Sequence, residues 1–241
     1  MLGSSGFSKR GETMKKIATV FLLVVGMLAA SGCSGTTPTS LKAEALVDKA
    51  RWTVESFKQR QDQQMRLFRD FLSEAQGVVV FPGAYKAGFI LGAEYGDGVL
   101  LARSASGEWG QPAFYTMGAG SIGFQIGGQV AELVLVVRSR EAVEAIVEHQ
   151  GKLGADLEIT VGTVGGGMEG AVTSNLGADL IVFSRSAGLF AGGSIEGAVL
   201  ARRNDYNQAF YGPGATPQAI LFGQGLANPH ADGLRKSLLL N

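Results

Sequence analysis

Two histidines and one cysteine in 241 residues leave this chain poorly equipped for metal or nucleophile chemistry. His149 and His230 stand far apart, and neither has a second ligand type at metal spacing, so both read as surface residues and no metal site is expected. The G-x-S-x-G elbow, the S-x-x-K pair and the P-loop are all missing. Carboxylates such as Glu141 and Glu144 fall at helical spacing, where solvation accounts for them. The reading is non-catalytic, with no catalytic residue and no cofactor assigned. A charge excess is missing too: 21 basic residues face 21 acidic ones, which removes the electrostatic basis for binding nucleic acid. No internal repeat of roughly 20 to 50 residues is present, which excludes solenoids and propellers.

Long apolar runs are equally scarce. The one candidate, Ile17 to Ala30, is shorter than the roughly 20 residues that a membrane helix needs. MKKIATVFLLVVGMLAASGC, Met14 to Cys33, places two lysines before this run and small residues after it, the layout of a secretory signal peptide. The expected organisation therefore begins with an upstream extension over 1–13 and a signal peptide over 14–32. Removing Lys9, Arg10, Lys15, Lys16 and Glu12 with them leaves 17 basic against 20 acidic residues, a net charge of −3. Ala30-Ser31-Gly32-Cys33 resembles the lipobox of bacterial lipoproteins, with alanine where leucine is usual. That resemblance implies acylation of Cys33 and accounts for the only thiol in the sequence. More than one acyl chain anchors stably, at about 0.8 kcal/mol per buried CH2. Ser34 in place of aspartate looks like an outer-membrane sorting signal, so the expected location is the envelope, lipid-anchored to the outer membrane and facing the periplasm.

Cys33 and a polar tether fill 33–39, and the tether spans roughly 20 Å when extended. From Ser40, which suits an N-cap, to about Glu74, apolar residues recur at three and four, the pattern of one long helix or two. On a wheel of about 100° per residue, Leu46, Ala50, Val54, Phe57, Phe68 and Leu72 form one stripe. Lys42, Lys49 and Arg60 line one edge of it, and Arg51, Lys58 and Arg69 line the other. Two readings fit. An interfacial helix would turn its basic edges to anionic headgroups; a core helix would lay the same stems over its apolar margins.

Glycine is abundant instead, at 36 residues, and it organises the remainder. Turn signals at Pro82-Gly83, Gly96-Asp97-Gly98 and Ser104 to Gly107 divide the next sixty or so residues into short strands of a meander-like sheet. Ser139 suits the cap of a helix closing at Gly151, further strands run through LEITVGTVGG, ADLIVFSRS and AVLARR, and Thr216-Pro217 starts a C-terminal helix. The fold class is α+β: an N-terminal helical segment packed on a glycine-rich, mainly antiparallel β-sheet or barrel-like core with short C-terminal helices. Gly118, Gly120 and Gly123 show the G-x-G-x-x-G spacing of a nucleotide site, but the apolar, β-branched run that follows reads as a strand, not as the helix whose N-terminus must hold the phosphate. No nucleotide is expected.

VVVFPGAYKAGFILGAEYGDGVLLAR, the glycines from Gly118 to Gly128, DLIVFSRSAGLFAGGSIEGAVL and Phe210-Tyr211-Gly212 together resemble the SYLF-domain family, in family order. The likeness covers 40–225, with 40–75 as the helical segment, 78–212 as the β-rich core and 226–241 as a C-terminal tail or helix. It implies a lipid-binding domain whose N-terminal helical segment contacts membrane, with phosphoinositide association in eukaryotic relatives and actin binding in the fungal branch. For an envelope lipoprotein it implies membrane phospholipids as partners; the alternative is a scaffold for an envelope protein partner, without its own headgroup site. The candidate lipid contacts are Lys42, Lys49, Arg51, Lys58, Arg60 and Lys86. Lys86 is the one charge between Val78 and Leu91, and either meets a phosphate or reaches solvent from a strand end.

Because Cys33 is the only residue suited to the acyl chains, Cys33→Ala is expected to leave the protein soluble or retained as uncleaved precursor. Fractionation and electrophoretic processing check this, and normal processing with unchanged membrane recovery would refute it.

Overall fold

The computed structural model describes residues 37–59, 63–88, 91–122, 127–148, 161–164, 178–186 and 198–240. The segment expected to be a signal peptide, Cys33 and Arg60 lie outside them. The helical segment is two helices, α1 (Thr39–Gln59) and α2 (Gln63–Glu74). Ser40 is not the cap expected of it: α1 begins one residue earlier, and Lys42 N–H bonds the Pro38 carbonyl at 3.2 Å. The apolar stripe is core. Leu46, Ala50, Val54, Phe57, Phe68 and Leu72 are all buried, and each of these except Ala50 contributes about 1.5–3 kcal/mol. Phe57, Phe68 and Phe183 stack edge to face at 5.6 and 5.2 Å, tying both helices to the sheet.

Among the described residues seven strands follow: β1 (Gly77–Gly88), β2 (Leu91–Ala102), β3 (Ala113–Ile122), β4 (Gly127–Val137), β5 (Val161–Val164), β6 (Leu180–Ser186) and β7 (Val199–Arg202). Their order is β5-β6-β4-β1-β2-β3-β7, and among these described pairs only β5–β6 is parallel. Of the two forms expected, it is an open sheet and not a barrel. The first four strands are not a simple meander, since β4 returns to pair with β1 and gives the 4-1-2-3 order of a Greek key. Gly118 and Gly120 lie inside β3, and the next described element is the strand β4.

Strand alternation sorts the apolar residues into two layers. Val78, Val80, Val99, Leu101, Val134 and Val136 pack against α1 and α2. Val79, Phe81, Leu100, Leu133, Leu135 and Val137 pack on the other side with α3 (Arg140–Glu148). Ser139 Oγ accepts from Ala142 N–H at 3.1 Å, as a cap does. α4 (Asn204–Tyr211) follows β7, and α5 (Pro217–Phe222) starts with Thr216 Oγ1 accepting from Ala219 N–H at 3.3 Å. Residues 226–241 hold a 3-10 turn (Pro229–Ala231) and α6 (Asp232–Ser237), whose Ala231, Leu234 and Leu238 join the core beside α1. Asn207 is buried and treats Phe114 as a strand neighbour would: its Oδ1 accepts from Phe114 N–H at 2.9 Å and its Nδ2 donates to Phe114 O at 3.3 Å.

Two of the three turn signals are not turns. Ser104 to Gly107 is one, with Gly107 at φ 84° and its N–H on the Ser104 carbonyl at 2.9 Å. Pro82-Gly83 instead lies within β1, in a bulge: Val80 pairs with Val99 and Tyr85 with Tyr95, so β1 carries one residue more than β2 between these pairs. Gly96-Asp97-Gly98 lies within β2, where the glycines make room for that bulge. A β-carbon on Gly98 would sit 2.7 Å from Phe81 Cε1 and closer still to the Val80 carbonyl oxygen, and one on Gly96 would sit 3.0 Å from Gly83 O. These glycines serve close approach, not chain reversal.

Gly98→Ala is accordingly expected to cost about 3 kcal/mol, at the upper end for overpacking, because backbone must move. Urea unfolding followed by circular dichroism checks this, and Gly120→Ala, whose β-carbon meets nothing within 4 Å, serves as the neutral control.

Candidate functional site

With its stripe buried, α1 presents its two basic edges to different surroundings. On one edge, Arg51 and Lys58 are committed to the fold. Arg51 pairs with Glu55 at 3.6 Å and stacks over Trp52 at 4.7 Å. Lys58 Nζ donates to the Ser237 carbonyl at 2.9 Å and to the Leu239 carbonyl, at the C-terminal end of α6. Burial holds its ammonium below the usual lysine range, Arg69 adds repulsion, and Glu55 opposes both.

Other cations are used in the same way. Arg103 Nη2 donates to Leu72 O in the last turn of α2 at 3.1 Å, and Arg202 Nη2 donates to Val147 O and, at 2.9 Å, to Glu148 O at the end of α3. Cations at helix C-termini satisfy orphan carbonyls and complement the dipole. Among the described lysines and arginines with placed side chains, Lys42, Lys49 and Lys236 make no ion pair, hydrogen bond or ring contact.

Lys42 and Lys49 share the other edge of α1, two turns apart, and both line a cleft of about 400 Å³ between that helix and the sheet. Its other wall is formed by Pro82, Gly83, Tyr85, Tyr95, Asp97, Val130 and Tyr206. Val130 of β4, Tyr85 of β1 and Tyr95 of β2 stand side by side in register, at 48%, 60% and 51% exposure, where large apolar side chains are uncommon. Asp97 brings no free negative charge to the cleft. Arg203 Nη1 donates to its Oδ1 at 2.6 Å, Tyr95 OH donates to the same oxygen at 3.0 Å, and the guanidinium lies 3.7 Å above the Tyr206 ring. The other side of Arg203 grips Asp205 at 2.8 and 2.9 Å, which holds that carboxyl below the usual carboxylate range.

Of the sequence candidates, Lys42 and Lys49 come together at the cleft, while Arg51 and Lys58 lie along the opposite edge against α6. Lys86 occupies β1 opposite Glu94 of β2 and Gln129 of β4. Cys33 and Arg60 lie outside the described residues. His230 is exposed, with Nε2 3.2 Å from Asp48 Oδ2, and His149 is outside the described residues. Tyr85, Tyr95 and Val130 were not read from the sequence. Counting alternation through Pro82-Gly83 without the bulge puts Tyr85 on the wrong face; a Pro-Gly inside an otherwise unbroken strand pattern was the available signal.

Residues 118–239 match the Ysc84 family, described as Las17-binding protein actin regulator. Protein YSC84 of Saccharomyces cerevisiae is 33% identical over 215 residues, 86% of this chain and 45% of its own length. SH3 domain-containing YSC84-like protein 1 of Homo sapiens is 32% identical over 205 residues, 83% of this chain and 59% of its own. LAS seventeen-binding protein 3 of Saccharomyces cerevisiae is 31% identical over 172 residues, 70% and 37% respectively. The chain thus spans about half the length of the curated relatives it matches. They are named as binding or regulatory proteins, not as enzymes.

The division of the basic residues can be checked directly. Lys58→Met is expected to cost about 1 kcal/mol, since two carbonyls lose a partly exposed charged donor, and to speed hydrogen exchange over 234–240. Lys42→Met and Lys49→Met should change stability by less than about 0.5 kcal/mol. Equal losses in all three would show that the cleft lysines are structural.

Proposed function

The chain belongs to the Ysc84 family, the SYLF-domain proteins, and on that footing we propose that it is a non-catalytic protein that binds anionic phospholipid at a membrane surface. The observation that carries this reading is the cleft. Two lysines with no protein partner face the same space as two exposed tyrosines and a valine. Tyrosine suits the headgroup level of a bilayer, with an apolar ring and a wet hydroxyl, and a lysine near an anionic surface contributes about 1 kcal/mol. Lys42 and Lys49 are separated by about 10 Å along the helix, so they meet separate phosphates or opposite sides of one headgroup. The proposal includes the anchor: acylated Cys33 in the outer membrane, with the short tether keeping the domain at the bilayer. The apolar stripe of α1 is core, so contact is made by the edge of the helix and by the sheet.

A competing reading comes from the relatives, whose names record a protein partner: the cleft then seats a peptide of an envelope protein.

The two separate by charge dependence. Full-length Cys33→Ala protein should co-sediment with phosphatidylglycerol-containing vesicles better than with neutral ones. Binding should weaken as salt shortens the Debye length toward ~8 Å at 0.15 M. Lys42→Gln with Lys49→Gln should remove about 2 kcal/mol, roughly thirtyfold in affinity. If the folded double variant binds these vesicles as the parent does, the lysines are not headgroup contacts and the protein-partner reading takes their place.

A further inference from the structure

We propose that the sheet beyond the Val130–Tyr85–Tyr95 row is a second membrane contact, a platform without net charge that enters the bilayer interface while Tyr85 and Tyr95 lie at headgroup level. The inference rests on the phospholipid reading above and adds a surface, a depth and an orientation to it.

Past the row, on the same face of the sheet, the next residues in line are Gly128 of β4, Ala87 of β1, Ala93 of β2 and Gly120 of β3. Ala93 and Gly120 are exposed, and a β-carbon on Gly120 or on Gly118 would meet nothing within 4 Å. Beyond them Leu91 pairs with Ile122. The outer strand segments, 85–88, 91–96, 118–122 and 127–131, contain two charged residues, Lys86 and Glu94. These stand directly opposite each other in register, and Glu94 is buried.

Opposite charges at one register position add no net charge to a surface entering a low-dielectric region, where an isolated charge is strongly disfavoured. Main-chain groups are the other obstacle in such a region. Here β1 is paired on both sides and β2 is paired with β1 and β3 along these segments, so their ladders are already made. The bilayer is favoured over a peptide because the platform is smooth. Glycine and alanine offer no pockets for side-chain recognition, whereas fluid acyl chains need none. Charge complementarity fixes the orientation. Lys42 and Lys49 border the row on the helix side, at the level of anionic phosphates, and the Gly/Ala lane lies on its far side.

The test places an environment-sensitive nitrobenzoxadiazole label at Gly120→Cys and, separately, at Ala93→Cys in full-length Cys33→Ala protein. Ser106→Cys, in the exposed turn at the opposite end of the sheet, is the control. With phosphatidylglycerol/phosphatidylethanolamine vesicles, emission at 120 and 93 is expected to shift to the blue and rise severalfold, and to be quenched by lipids carrying a nitroxide near the headgroup; emission at 106 stays as in water. Hydrogen exchange of unlabelled protein, which needs no variant at the site, should show vesicle-dependent protection over 91–96 and 118–122 and none over 104–107. Co-sedimentation without change at 120, 93 or in exchange overturns the platform and leaves the headgroup reading standing. Failure to co-sediment with anionic vesicles overturns both.

Discussion

One extra residue in β1 sets the geometry on which the site depends. Side chains on a strand alternate with a period of two, so a single inserted residue moves everything after it to the other face. Before Pro82-Gly83, Val78 and Val80 face the helices; after it, Tyr85 does so again, at an odd spacing that only the bulge permits. The same insertion holds against β4, where Phe81 pairs with Leu133 and Ala84 with Ala131. The bulged main chain needs room, and Gly96 and Gly98 supply it by carrying no β-carbon. The exposed row, the cleft it bounds and the smooth face beyond it are consequences of this local fit between two strands.

The basic residues form a second level of organisation. Arg103, Arg202 and Lys58 each reach across the fold to the last carbonyls of a helix, joining elements distant in sequence through charge-assisted hydrogen bonds. Arg203 does the equivalent for carboxylates, locking Asp97 of β2 to Asp205 of α4. Such residues are unavailable for ligands because their removal exposes unsatisfied groups within the protein. Lys42 and Lys49 differ in having no such duty. A near-neutral chain can therefore still present a locally cationic rim, since nearly every other described cation with a known side-chain position is already held by a carbonyl, carboxylate or ring of the protein.

The family resemblance and the geometry bear on function in different ways. Membership of the Ysc84 family gives this chain its relatives, and those named for binding partner proteins leave the ligand of this chain open to proposal. The case for a membrane comes from the chemistry of the cleft: unpartnered ammonium groups, amphipathic rings and a glycine-rich strand region with its one charge pair in register. A peptide groove of the same size would be expected to show side-chain pockets and free main-chain donors, and along the outer segments the central strands β1 and β2 are fully paired with their neighbours.

What the sequence determined by itself were the features that depend on neighbours in the chain. The α1 and α2 stripe, the Ser139 and Thr216 caps, the Ser104 to Gly107 turn and the strand character of the residues around Gly118 all follow from local spacing and propensity, and the structure has them. The motifs of the family were legible for the same reason. Tertiary structure decided whatever depends on residues far apart: that Pro82-Gly83 is a bulge and not a turn, that Gly96 and Gly98 answer it from the next strand, that β4 crosses back to β1, and that Lys58 is engaged while Lys49 is free. On a helical wheel those two lysines are equivalent edges of one stripe. They part company only because α6, some 180 residues later in the chain, brings its terminal carbonyls to one edge and not to the other.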